Sequence, residues 1–279
     1  MNERCHTLRV SRPDGPAAVR VIATDLDGTL LRSDGTISER TVDALIAAEE
    51  AGLTVVFVTG RPVRWMADLF AHVGTHGTAI LSNGALVWDV AQAQPIAERP
   101  ISVETLVEAC GLLRAAVPDL LFGFERLEGL SIEGSFLGKF TGTFSAREGT
   151  LEEISDAPAL KLLARQQDGD PDALKRTARA AAGHLLEITG STKSPLLEMS
   201  ALGVTKATTL DEWCRGLGCT AENVVAFGDM PNDLDMLGWA GTSYAMANAH
   251  PSVIAVATHQ TVSNDDDGVA QVIEDLLQG

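Results

Sequence analysis

The fold of this chain is narrowed most by one recurring pairing: a short, largely apolar β-branched run that ends in a polar loop. Val19-Arg20-Val21-Ile22-Ala23-Thr24 runs into Asp25-Leu26-Asp27-Gly28-Thr29, and Thr54-Val55-Val56-Phe57-Val58 into Thr59-Gly60-Arg61-Pro62. Thr78-Ala79-Ile80-Leu81 leads to Ser82-Asn83-Gly84, and Asn223-Val224-Val225-Ala226-Phe227 to Gly228-Asp229-Met230-Pro231-Asn232-Asp233. Near-continuous apolar runs of this length belong to strands covered on both faces, as in a parallel sheet flanked by helices. Helical spacing fills the intervals. Ser38 caps a helix with apolar positions Val42, Leu45, Ile46 and Ala48, and Gly52 ends it. Further helices are predicted over about 62–72, 205–217 and 269–277.

Between about 85 and 190 the texture changes to hairpins, with helices over about 102–116 and 171–182. Alternation resumes at Leu196-Leu197-Glu198-Met199, read as a strand of the returning core. The expectation is therefore an α/β protein, a Rossmann-like parallel sheet interrupted by an inserted α+β cap domain. The core is assigned to 19–84 and 191–279, the cap to 85–190, and 1–18 to an N-terminal extension without regular structure. Hinges are expected near Gly84 and between Gly190 and Pro195.

Composition excludes some partners. The 279 residues carry 38 Asp and Glu against 21 Lys and Arg, a formal charge of −17. Binding a nucleic-acid backbone needs clustered cations, so nucleic acid is not an expected partner. No apolar run approaches the roughly 18 residues of a membrane span, and Met1 to Arg20 has no apolar core of a signal peptide. Cys5, Cys110, Cys214 and Cys219 form no Cys-x-x-Cys pair, which fits reduced thiols and a cytoplasmic setting.

In open parallel sheets ligands bind beyond the carboxyl ends of the strands. Those ends carry Asp25, Asp27, Thr59, Asn83, Asp229, Asn232 and Asp233, with Lys206 opening a nearby helix. Several carboxylates converging on one cleft repel unless a cation lies among them, and oxygen donors favour a hard ion such as Mg²⁺. Backbone amides around Leu26 to Thr29, the Thr59 hydroxyl and the Lys206 ammonium would supply donors to a phosphate.

Asp25-Leu26-Asp27-Gly28-Thr29-Leu30, Thr59-Gly60-Arg61, Lys206 and Gly228-Asp229-Met230-Pro231-Asn232-Asp233 resemble, in order, the four motifs of the haloacid dehalogenase-like hydrolase superfamily. The insert resembles the cap of its Cof-type, sugar-phosphatase-like branch. The resemblance implies a Mg²⁺-dependent phosphomonoesterase acting on a small phosphorylated metabolite, with sugar phosphates the expected class. By resemblance Asp25 is the nucleophile and a metal ligand, and Asp27 the general acid and base whose carbonyl also meets the metal. Asp229 is a metal ligand and Asp233 supports the metal site. Thr59, Gly60, Lys206 and Asn232 hold the phosphate. Two rival readings stay open: a phosphotransferase or phosphomutase of the same branch, and a non-catalytic protein that binds a phosphorylated ligand.

Other residues have plainer explanations. His72 and His76 lack the Glu of a zinc protease motif, and Asp265-Asp266-Asp267 reads as a solvated loop. Gly203-Val204-Thr205-Lys206 lacks the Gly-Lys pair of a P-loop, and the four tryptophans read as core or interface aromatics. In the cap, Glu125, Arg126 and His184 are candidate substrate contacts.

Overall fold

The computed structural model describes residues 18–66, 69–70, 77–137, 145–190 and 194–278. The chain opens with β1 (Val21–Thr24), α1 (Glu39–Glu50), β2 (Thr54–Val58), β3 (Thr78–Leu81), β4 (Leu86–Asp89) and β5 (Gln94–Glu98). It continues with α2 (Val103–Ala116), β6 (Leu121–Arg126), β7 (Gly129–Glu133), β8 (Ala146–Gly149), α3 (Leu151–Ile154), β9 (Lys161–Arg165), α4 (Pro171–Ala182), β10 (Leu186–Gly190) and β11 (Leu196–Ala201). It closes with α5 (Lys206–Gly216), β12 (Val224–Gly228), α6 (Leu234–Trp239), β13 (Thr242–Ala245), α7 (Pro251–Ile254), β14 (His259–Gln260) and α8 (Gly268–Gln278). Of the helix predicted over about 62–72, the described parts are a 3₁₀ turn at Val63–Trp65 and helical residues 69–70, where the Phe70 amide donates to the Met66 carbonyl at 2.9 Å. His72, His76 and residues 1–17 lie outside the described residues.

The first sheet runs β14-β13-β12-β1-β2-β3-β4-β5, parallel from β14 to β3. β1, β2 and β12 are almost wholly buried, which is why their sequences show no polar alternation. The registers Thr24↔Phe227 and Thr24↔Phe57 bring the ends of β12, β1 and β2 level at one sheet edge. The chain leaves β1 towards β2 on one side and later adds β12 on the other. The crevice at this reversal is where an open α/β sheet binds ligands.

The second sheet runs β10-β11-β9-β6-β7-β8, antiparallel except for β7 with β8. α2 and α4 pack together over one face, closing a core that includes Phe122, Phe124, Leu162, Leu197 and Met199. Because side chains alternate along a strand, Glu125, Lys161 and Glu198 point to the opposite face.

Sheet membership differs from the expected boundaries at both ends of the insert. β4 and β5, expected in the cap, continue the first sheet through Ile80↔Val87 and Leu86↔Glu98. β11, expected in the core, lies in the second sheet between β10 and β9. Both differences have one cause: partners distant in sequence decide which sheet a strand joins. Among the described residues no helix is long and apolar enough to cross a membrane, and Cys110, Cys214 and Cys219 are free and buried.

Candidate active site

Asp25 follows β1 directly, and its amide donates to the Phe227 carbonyl of β12, which fixes it in the crevice. Lys206 is the first residue of α5. Thr205 caps that helix through a reciprocal pair, Thr208 N to Thr205 Oγ1 at 3.1 Å and Thr205 N to Thr208 Oγ1 at 3.0 Å. The buried Lys206 ammonium donates to Asp25 Oδ1 at 2.5 Å and to Asp233 Oδ1 at 2.7 Å. Asp233 Oδ2 accepts from the amides of Asp229 and Met230, so this carboxylate anchors the loop after β12. Asp229 Oδ1 accepts from the Thr29 hydroxyl at 3.0 Å. Gly28 has φ +79°, and a Cβ there would lie 2.4 Å from Asp229 Oδ2, so only glycine lets the two loops meet.

The electrostatics follow from burial. Removal from water pushes Asp25 well above the ordinary carboxylate range. Lys206 pulls it back, and Asp233 adds to the rise. Burial, then the Asp233 charge, raises Asp229 to about 6. Burial alone would lower Lys206, but the Asp233 and Asp25 charges outweigh it and hold the ammonium above its ordinary value. Asp25, Asp229 and Asp233 each offer an oxygen, all within 4.8 Å of one another. Among the described residues Lys206 supplies the ammonium bonded to this set, which offsets one of the three negative charges when all three ionise. An all-oxygen donor set of that charge fits a hard divalent cation.

Asp27 lies outside this cluster. It faces the cavity with its side chain 59% exposed, gripped by Arg61 through Nε at 2.8 Å and Nη2 at 2.5 Å. The Thr59 hydroxyl accepts from the Arg61 amide at 3.1 Å. Asp25, Asp27, Thr59, Gly60, Arg61 and Asn232 border one cavity of about 210 Å³. Gly84, at φ +108°, ends a left-handed turn that begins with Ser82 (φ 52°) and Asn83 (φ 58°). The turn aims Asn83 at the site, where Asn232 Nδ2 donates to its Oδ1 at 3.3 Å.

The second sheet contributes a roof that the sequence did not reveal. Lys161 donates to the Gly60 carbonyl at 2.6 Å and to Glu198 Oε2 at 2.7 Å, and Asn83 Nδ2 donates to the same oxygen at 3.1 Å. Arg64 makes two bonds to the buried Glu125, at 2.8 and 2.7 Å. Of the expected cap contacts, Glu125 is thus committed to Arg64. Arg126 is committed to the carbonyls of Ile154, Ala157 and Pro158, and His184 is exposed away from the cavity. Alternation along β9 and β11 was the available clue to Lys161 and Glu198: a charged residue among buried neighbours points off the apolar face. Of the four tryptophans, expected as core or interface aromatics, Trp65 is half-exposed at the cavity rim, whereas Trp88, Trp213 and Trp239 pack on the core. Asp265 bonds Ser33 and Asp267 pairs with Arg32, so that acidic run fastens the loop after β1 to the start of α8.

The model of the haloacid dehalogenase-like hydrolase family matches residues 22–273. The chain belongs to that family, in its Cof-type phosphatase branch, and is an enzyme of the hydrolase class. It is 32% identical to the 5-amino-6-(5-phospho-D-ribitylamino)uracil phosphatase YcsE of Bacillus subtilis, across 95% of this chain and 98% of the relative. It is 30% identical to the pyridoxal phosphate phosphatase YbhA of Escherichia coli, across 91% and 97%. Among solved structures, a haloacid dehalogenase-like hydrolase from Bacteroides thetaiotaomicron superposes with a TM-score of 0.75 at 27% identity, covering 92% of this chain and 99% of that one. SMU.1108c from Streptococcus mutans shares the fold with a TM-score of 0.83 at 24% identity, covering 94% and 100%.

Proposed function

We propose that this chain is a Mg²⁺-dependent phosphomonoesterase that hydrolyses a small phosphorylated metabolite through a phospho-aspartate on Asp25. The observation that carries the reading is the buried Asp25 carboxylate at the mouth of a polar cavity, one oxygen held by Lys206 and Asp229 beside it. Asp25, the Asp27 carbonyl and Asp229 would hold the ion, with Asp233 fixing their loop. When bound, the ion supplies positive charge that screens a nucleophilic carboxylate from phosphate oxygens.

The protein's own residues divide the remaining work. A carboxylate oxygen of Asp25 attacks phosphorus as the bond to the leaving-group oxygen breaks, and that oxygen takes its proton from Asp27. Asp27, now a carboxylate, takes a proton from water whose oxygen attacks the phosphorus. The bond to Asp25 breaks and inorganic phosphate leaves. Thr59, the Gly60 amide, Asn232 and Lys206 hold the phosphoryl oxygens through both steps, which is where phosphoryl transfer needs stabilisation most. Arg61 positions Asp27 between turnovers and yields it to the leaving group.

The substrate class we propose is phosphorylated sugars and sugar alcohols. The phosphoribityl group named in the Bacillus relative supports this, being the phosphate of a sugar alcohol. The test is phosphate release from a panel of such esters with Mg²⁺ or EDTA, comparing the parent with Asp25→Asn. Release that needs Mg²⁺ and falls at least about 10³-fold in the variant is expected. Equal release by parent and variant would remove Asp25 from the mechanism. Ligand-induced stabilisation without turnover would favour the non-catalytic reading, and transfer of phosphate only to a sugar acceptor the phosphotransferase.

A further inference from the structure

In this acidic chain the described cations are mostly spoken for. Arg32, Arg40, Arg61, Arg64, Arg99, Arg114, Arg126, Arg147, Lys161, Lys206 and Arg215 each stand within 4.0 Å of a carboxylate oxygen. Arg20, Arg165, Lys175, Arg176 and Arg179 do not, and of these Lys175 and Arg179 are the two that border the cleft facing the candidate site. They lie four residues apart on α4, so they share one side of the helix, where like charges repel. Neither has a carboxylate partner among the described residues, and Arg179 Nη2 donates only to the Ile188 carbonyl on edge strand β10. Burial, then the charge of Arg179, holds Lys175 below the ordinary lysine value.

Both side chains border a cleft of about 640 Å³ whose opposite wall is Asp27, Gly28 and Asp229. Three acids border Arg179's surroundings without pairing to it. Glu198 is bonded by Lys161 and Asn83, while Glu187, which accepts from the Gly203 amide, and Asp235 line an adjoining cavity. The cleft thus has two ends of opposite character: a carboxylate end that takes the phosphoryl group, and on the cap a pair of cations whose charge Asp172, earlier on the same helix, offsets only in part. A helix that sets a half-buried Lys175 beside an exposed Arg179 of like charge, neither ion-paired among the described residues, is completed by an anion.

Resting on the phosphatase reading, we propose that Lys175 and Arg179 form a leaving-group subsite for a second anionic group, so that the preferred substrate is a phosphomonoester that also carries a carboxylate or a second phosphate. Arg179 offers planar, paired donors for such a group and Lys175 a mobile point charge. Thr189 borders the same cleft beside them.

The test uses matched pairs: 6-phosphogluconate against glucose 6-phosphate for the carboxylate, and fructose 1,6-bisphosphate against fructose 6-phosphate for the phosphate. In the parent, kcat/KM for the doubly anionic member of at least one pair is expected to exceed its partner's about tenfold or more. Whichever pair shows this identifies the group. Lys175→Met should collapse that ratio towards one through KM. It should also leave the melting temperature equal or higher, since it removes a repulsion, where a merely structural lysine would lower it. Arg179→Lys should retain part of the preference.

Binding of the same pairs to Asp25→Asn with Mg²⁺, followed by calorimetry, decides the proposal independently of turnover. Preference for the doubly anionic member that Lys175→Met abolishes supports the subsite even if nothing is hydrolysed, and the failure then belongs to the phosphatase reading alone. No preference in the parent protein, or a preference that Lys175→Met leaves intact, overturns the subsite whatever the turnover.

Discussion

Burial holds Asp25 and Asp229 above the ordinary carboxylate range, Asp229 at about 6. A carboxylate raised on folding takes up its proton in the folded state. The stability that proton contributes is present at low pH and is lost as pH climbs from about 4, the unfolded value, through about 6. The metal-free protein is therefore expected to soften over that window, Asp25 acting in the same direction as Asp229. A divalent cation needs these groups ionised, so its binding competes with the proton. The Mg²⁺-induced rise in melting temperature should accordingly be small at pH 5 and larger at pH 7.5. Differential scanning calorimetry in Mg²⁺ and in EDTA at both values checks this. An equal rise at the two pH values would mean that the ion binds elsewhere.

At the scale of elements, the strands beside the site were legible because complete burial removes polar alternation. β1, β2 and β12 read as apolar runs whose last residues deliver Asp25, Thr59 and Asp229 to one edge. The cap of α1 was legible too, since Ser38 accepts from Thr41 N as local chemistry requires. Sheet membership was not. Leu196–Ala201 buries Leu197 and Met199, a pattern either sheet could use, and only its antiparallel pairing with β9 and β10 decides the matter. The ion pairs of Lys161 with Glu198 and Arg64 with Glu125 were hidden for the same reason, because each joins segments far apart in the chain. Gly84 shows how tightly such contacts bind one element to another. At φ +108°, its Cβ position would lie 2.3 Å from the Thr205 carbonyl oxygen at the start of α5. Gly84→Ala must strain the turn and push α5, so a loss of at least about 1–3 kcal/mol is expected. Urea unfolding in EDTA measures it, and a loss below about 0.5 kcal/mol would show that the turn adapts without cost.

The described residues hold two large apolar cores, besides a small cluster of Leu130, Ile132 and Phe136, and each large core carries its own reporter. Cys110 lies in the core between α2 and the second sheet, and Cys214 in the core beneath α5. Burial pushes both thiols up to about 12, so at pH 8 neither presents appreciable thiolate while its core is closed. Alkylation at each site then reports the opening of that core. Two contacts join the cap to the same short stretch of the hydrolase core: the buried Lys161 ammonium donates to the Gly60 carbonyl, and Arg64 grips the buried Glu125 in an ion pair. Contacts of this kind couple the two openings, because separating the cap strands ammonium and carboxylate groups that are buried in the closed form. In the parent protein Cys110 and Cys214 should therefore become reactive over one range of urea concentration. Lys161→Met removes one coupling contact and should shift the Cys110 transition to lower urea than that of Cys214, the cap core being the smaller. Peptide mapping by mass spectrometry after pulsed alkylation separates the two sites. Well-separated transitions already in the parent would mean that the contacts seen at Gly60 and Glu125 do not bind the two cores into one cooperative unit.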